Sequence, residues 1–203
     1  MVGVVFEMYG LTDDKLAIVE ARNEASNSEE VTLVLSKTVQ DAMNEQIKNE
    51  FYSAYQYLAM AAYCESANLP GFAQWMRTQS QEETEHAMKF YDFILNRNGR
   101  VVLQAIEGPV IEFGSPLEVF EQALEQEQKV TAMINDLYGL AVKESDYASQ
   151  AFLQWFVTEL VEEEKNAGDV AETLKMVGDK SETLFLFDRE LGQRGNSEQP
   201  EPS

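Results

Sequence analysis

The chain has 203 residues, 44% of them apolar, with 15 Lys plus Arg against 36 Asp plus Glu and a formal charge of −21. That balance excludes nucleic acid and anionic membranes as partners, because both demand basic surface; it leaves cations as the natural ones, or simply a solvated acidic exterior. The single cysteine, Cys64, rules out a disulfide framework and a Cys-x-x-Cys metal knuckle, and no apolar run approaches the roughly 18 residues of a membrane span.

The start, MVGVVFEMYG, has no basic region and carries Glu7, so it is a poor secretory signal and a cytoplasmic protein is expected. The first 33 residues show no sustained periodicity, and EARNEASNSEE (20–30) is polar and disorder-like. The first helix is predicted over about Lys37–Ser66, with the apolar-facing stripe Met43, Ile47, Glu50, Ala54, Tyr57 and Ala61. The second follows Asn68, read as its N-cap with Pro70 just inside, and ends near Gly99. Its stripe runs from Phe72, Trp75 and Met76 to Ala87, Phe90 and Ile94, and Glu83 and His86 fall on it where Leu or Ile belongs.

RVVLQAI (100–106) is locally extended in character. The third helix opens at SPLE (115–118), a serine cap with proline at the first helical position, and reaches about Glu144. Its stripe is Phe120, Leu124, Glu127, Thr131, Ile134 and Tyr138. The fourth spans about Tyr147–Val177, with Phe152, Phe156, Glu159, Glu163, Ala167, Val170 and Leu174 on one face. A short fifth helix, SETLFLFDRELGQR (181–194), opens with a serine cap, and GNSEQPEPS (195–203) reads as a frayed tail.

Connection lengths set the topology. Two or three residues join the first pair of helices and the second pair, so each pair is an antiparallel hairpin. The 17-residue link from Asn98 to Gly114 reaches roughly 55 Å when extended, more than the roughly 42 Å of the second helix. It can therefore run the length of the molecule and start the third helix level with the second. The expected architecture is all-α: a four-helix bundle with one long crossover and a short fifth helix.

In that arrangement Glu50 lies 17 residues before Ala67 and Glu83 lies 16 after it, while Glu127 and Glu163 each lie 18 from Ser145. Every long helix then delivers a carboxylate to one layer, with His86 one turn from Glu83. Desolvating a carboxylate costs several kcal/mol, and clustered like charges add repulsion, so the layer calls for cations. Carboxylate oxygens with one imidazole suit iron, manganese or zinc. Taken singly, the features are weaker: Glu-x-x-His is usually a surface pair, a lone inward His is usually a satisfied core residue, and an inward Glu can snorkel. Four inward acids at mid-helix outweigh those readings. Tyr57 either donates to a ligand carboxylate or is a core tyrosine. Trp155 is assigned to core packing ahead of an electron relay.

The segments NEQIKNEFYSAYQYLAMAAYCE, GFAQWMRTQSQEETEHAMKFYDFI, LEQEQKVT, QWFVTELVEEEK and LFLFDRELGQR together resemble the bacterial non-haem ferritins over about 35–194. The resemblance implies a ferritin-like fold and a homo-oligomeric cage of 24 subunits. It implies a ferroxidase that oxidises Fe(II) with O2 or H2O2 at a di-iron centre and stores a ferric oxyhydroxide mineral. Glu50, Glu83 and His86 would hold the first iron, with Glu83 bridging to a second iron ligated by Glu127. Glu82, Glu159, Glu162 and Glu163 match a third iron site, Glu163 bridging toward the pair. Glu50, Glu83, His86, Glu127 and Tyr57 are the expected catalytic residues.

The family often has Gln after the position of Glu159; Leu160 stands here, removing a polar contact near the second iron. No haem is expected, since Thr84 takes the place of the haem-ligating Met of bacterioferritins and the fourth helix has no His. Residues 1–34 are expected to be an extension, disordered or upstream of the true translation start. The alternative in a different class is a structural bundle that binds metal without ferroxidase turnover.

Overall fold

The computed structural model describes residues 35–178 and 181–194. The extension over 1–34 and the tail over 195–203, both read above as disorder-like, lie outside the described residues. Five helices follow one another: α1 Lys37–Ser66, α2 Pro70–Asn96, α3 Pro116–Lys143, α4 Tyr147–Val177 and α5 Ser181–Arg194. Among the described residues there is no strand, and no helix is long and apolar enough to cross a membrane.

Local chemistry explains the boundaries. Ser36 Oγ accepts from Val39 N at 3.3 Å to start α1, and Ser115 Oγ accepts from Glu118 N at 3.2 Å to start α3. Glu118 reaches back to accept from Gly114 N at 2.7 Å, completing a reciprocal cap around Pro116. Asp146 caps α4 through Ser149 N at 3.1 Å. Three helices end alike: Asn68, Asn98 and Ser145 take left-handed φ of 55° to 58°. The next residue's N–H then bonds five residues back, Leu69 to Cys64 O, Gly99 to Ile94 O and Asp146 to Ala141 O.

Two cap expectations are corrected. Asn68 does not cap α2, because its left-handed backbone is used to turn the hairpin; Leu69 occupies the cap position and offers no side-chain acceptor. The missing acceptor comes from α5, where Asp188 Oδ1 accepts from Phe72 N at 2.9 Å. Ser181 is itself the first helical residue of α5 and not a residue preceding it.

Helix α1 packs along α2 and also against α3, α3 packs along α4, and α5 crosses the start of α2. That crossing is close: a Cβ on Gly71 would lie 1.7 Å from the Asp188 carbonyl oxygen, and one on Gly192 2.8 Å from Gly71 Cα. The link over 97–115 is extended without strand pairing. It is held by amide side chains of α1: Gln40 accepts from Arg100 N at 2.8 Å, and Asn44 accepts from Val102 N at 2.7 Å while donating to Arg100 O at 3.1 Å. Further along, Gln56 accepts from Val110 N at 2.8 Å and donates to Val110 O at 3.2 Å.

The core is divided in two. One apolar cluster, toward α5, gathers Met60, Phe72, Met76, Phe120, Val170 and Leu191. The other gathers Met43, Ile47, Phe90, Ile134, Phe156 and Leu160. Residues 50, 83, 127 and 163 fall between the two sets on their helices, so the acids form a polar floor between two oily halves.

Candidate metal centre

The stripes place Glu50, Glu83, Glu127 and Glu163 inward, one from each long helix, with exposures of 0%, 2%, 2% and 8%; His86 is 5% exposed. Three groups of these side chains have ligand atoms within 4.8 Å of one another: Glu50, Glu83 and His86; Glu83, Glu127 and Glu163; and His86, Glu159 and Glu163. Glu83 belongs to the first two groups and so lies between them. His86 Nδ1 is 3.4 Å from Glu83 Oε2 and 3.9 Å from Glu163 Oε1.

Each of the four acids keeps one buried oxygen, Oε2, without a hydrogen-bond partner. One such orphan costs about 1–3 kcal/mol, and four facing one another describe a site built for cations. Two of the other oxygens are oriented by hydrogen bonds. Gln46 Nε2 donates to Glu50 Oε1 at 2.8 Å, and the Tyr57 hydroxyl donates to Glu127 Oε1. Both readings of Tyr57 therefore hold: it is 1% exposed within the core and it positions a carboxylate.

Electrostatics follow from burial. Desolvation pushes the Glu50 and Glu127 carboxyls up to about 7, and desolvation with the charges of Glu127 and Glu50 pushes Glu163 up to about 9. Glu83 is held well above the carboxylate range by burial and by the charges of Glu127, Glu50 and Glu163. Burial, with Lys89 nearby, pushes His86 down to about 4, which leaves the neutral imidazole that metals bind. Burial and the charge of Glu127 raise the Tyr57 phenol well above its usual value, so it keeps its proton and donates. The donor set of carboxylates and one imidazole matches iron, manganese or zinc.

The four acids expected at a third site, Glu82, Glu159, Glu162 and Glu163, all line one cleft of about 360 Å³ between α2, α4 and α5; Glu159 and Glu163 also group with His86, while Glu82 is half-buried and Glu162 exposed. Gln79 donates to Glu82. Leu160 is 3% exposed in an apolar cluster, so its place is filled by core packing. Trp155 is not a core residue: it is 40% exposed, its edge meets the His86 ring at 5.4 Å, and Lys89 Nζ sits 4.3 Å from its centroid. Gln46 and Asp188 were not foreseen; buried amides and a cap from a distant helix leave no periodic signal.

The family model for the ferritin-like domain matches residues 40–177. The chain belongs to the ferritin family. This ferritin is 44% identical over 165 residues to a bacterial non-heme ferritin of Staphylococcus saprophyticus, covering 81% of this chain and 99% of that protein. A bacterial non-heme ferritin of Staphylococcus epidermidis is 41% identical over 166 residues, 82% of this chain and 100% of the relative. Among solved structures, an open pore ferritin from the archaeon Archaeoglobus fulgidus superposes on it with a TM-score of 0.77 and 47% identity, covering 78% of this chain and 96% of that one.

Proposed function

We propose that this protein, an iron-storage ferritin by family, oxidises Fe(II) to Fe(III) at the carboxylate layer. The observation that carries the reading is the double membership of Glu83 in the Glu50–Glu83–His86 and Glu83–Glu127–Glu163 groups. One carboxylate between two ligand sets supports two iron ions held as a pair. Each Fe(II) gives up one electron, so a pair reduces O2, with two protons, to H2O2 without releasing superoxide.

The residues have distinct tasks in this reading. Glu50, Glu83 and His86 hold one iron. Glu127, positioned by the Tyr57 hydroxyl, and Glu163 hold the second with Glu83. Gln46 fixes Glu50. Metal arrival displaces the protons that the raised carboxyls retain at neutral pH, so binding releases protons and strengthens as pH rises. Glu159 with Glu163 and His86 supports a third iron position beside the pair, with Glu82 and Glu162 on the wall beyond it. Oxidation by O2 or H2O2, deposition of ferric oxyhydroxide, a 24-subunit cage and a cytoplasmic location are the fuller reading that the family supports. Exposed Leu103, Ile111, Phe185 and Leu186 support burial between subunits.

Stopped-flow oxidation of Fe(II) at two ions per subunit is the test. A fast phase in the parent protein that is lost by at least about 100-fold in both Glu83→Gln and His86→Ala, with particle size retained, is expected. Equal rates in all three proteins would refute the assignment.

A further inference from the structure

Two residues that the carboxylate layer does not use stand at its edge, Lys89 of α2 and Trp155 of α4. Lys89 follows His86 by three residues, and Trp155 precedes Glu159 by four. Each therefore shares a helix face with a member of the His86–Glu159–Glu163 group. The two faces meet. The Trp155 and His86 rings touch edge-on with centroids 5.4 Å apart, and Lys89 Nζ lies 4.3 Å from the Trp155 ring centre.

A lysine laid over an indole is ordinarily a snorkelling side chain that covers apolar surface. Three observations set Lys89 apart. It is half-buried. The indole beneath it touches a candidate metal ligand. Its charge also reaches two members of the group: after burial, it is what disfavours a protonated His86, and at Glu159 it opposes the burial and the Glu162 charge that raise that carboxyl.

That placement has two opposed effects on a cation. Before a metal ion arrives, the ammonium acts as a counter-ion that favours the ionised, ligating form of Glu159. When a divalent ion enters among His86, Glu159 and Glu163, the same charge repels it at short range in a partly desolvated setting, where Coulomb forces are strong. The cation–π contact at a part-exposed ring is weak, so it holds the ammonium in place without locking it.

We propose that Lys89, held over Trp155, is a positioning residue that sets the cation affinity of the His86–Glu159–Glu163 position and keeps it a transit position for divalent ions, not a resting one. The proposal rests on the reading of these side chains as metal ligands.

Cobalt(II), a divalent ion that quenches indole emission, is the probe. The chain has two tryptophans, so Trp75→Phe protein retains Trp155 as its indole beside His86. In that background quenching should come in two phases, and adding Glu159→Gln should remove the weaker one. Adding Lys89→Met instead keeps an apolar stem and removes the charge; it should lower the half-saturating cobalt concentration of the weaker phase about tenfold. Lys89→Arg keeps both the charge and the stacking on the ring, and should stay within about twofold of the parent. Identical curves with and without Lys89→Met overturn the proposal. Equal tightening in Lys89→Met and Lys89→Arg also overturns it, by placing the effect in side-chain shape and not in charge. Absence of saturable quenching in all these proteins would remove the metal-ligand reading itself, whereas two phases indifferent to Lys89 remove the proposal alone.

Discussion

Asp188 of α5 accepts a hydrogen bond from the backbone N–H of Phe72 in the first turn of α2, at 2.9 Å and across 116 residues of sequence. Asp188 is 2% exposed, and the α2 N-terminus has no local side-chain cap. A carboxylate there also faces the positive end of the helix dipole. The fifth helix is thereby locked to the bundle by a cap that the second helix lacks.

Asp188→Ala should cost about 1–3 kcal/mol, since a buried N–H is orphaned and a cap is lost. Amide exchange over 184–191 should accelerate while α3 stays protected. Gly71→Ala should loosen the same contact further, because its Cβ would meet the Asp188 carbonyl oxygen. Unchanged exchange in α5 for both variants would show that the crossing is held elsewhere.

Glu83→Gln should separate stability from metal binding. Burial and the charges of Glu127, Glu50 and Glu163 disfavour the ionised form of Glu83, so an amide of the same shape is a mild replacement. Metal-free stability should change by less than about 1.5 kcal/mol. Zinc, a redox-inert stand-in, should stabilise the parent by about 2.7 kcal/mol at 100-fold excess over Kd and the variant far less. Thermal denaturation with and without zinc checks both; an equal zinc response would contradict the shared role of Glu83.

Tyr57→Phe removes the donor to Glu127 Oε1 in a site where Glu127 is 2% exposed. The expected loss is about 1–2 kcal/mol in metal-free protein, shrinking when metal satisfies the oxygen. The fast oxidation phase should slow without a change in metal stoichiometry. A stability loss unaffected by zinc would confine Tyr57 to packing.

The Arg97–Asp146 pair at the far end of the bundle sets an acid limit. Arg97 Nη1 and Nη2 donate to Asp146 Oδ1 at 3.0 Å and Oδ2 at 3.3 Å. Burial alone would raise this carboxyl, but the Arg97 hydrogen bonds and then those from Ser149 outweigh it and hold it below its ordinary 3.8. A folded value below the unfolded one means a contribution fully present above about pH 4 and lost as pH falls through the folded value. Arg97→Met should cost about 1.5–3 kcal/mol at pH 7, with the gap to the parent narrowing below pH 4. Denaturant unfolding at pH 7 and pH 3 measures it; a constant gap would assign the loss to packing.

The fold was legible because its signals are periodic. Apolar spacing, serine caps before Pro116 and three-residue hairpin loops define helices whose ends match the structure within about three residues. The carboxylate layer was legible for the same reason: acids at apolar positions stand out, and counting from each hairpin turn puts them at one height. Asn68 was misread because asparagine serves equally as an N-cap and as a left-handed turn residue, and only the chain geometry chooses. The wrap of α5, the Gln46 contact and the half-exposed Trp155 depend on which helices become neighbours, and no spacing within one helix encodes that.

The amides along α1 have a consequence for how freely the crossover can be rewritten. An amide side chain presents one donor and one acceptor side by side, the same pair that a neighbouring strand would offer. Gln40, Asn44 and Gln56 thus let a helix act as the template edge for a lone extended segment. Along these stretches the helix reads the crossover's peptide groups, while Phe113 packs into the core and Leu103 and Ile111 are exposed. Designers could exchange exposed polar crossover residues such as Glu107, provided the three amides on the helix and the outward apolar residues assigned to subunit contacts are left alone.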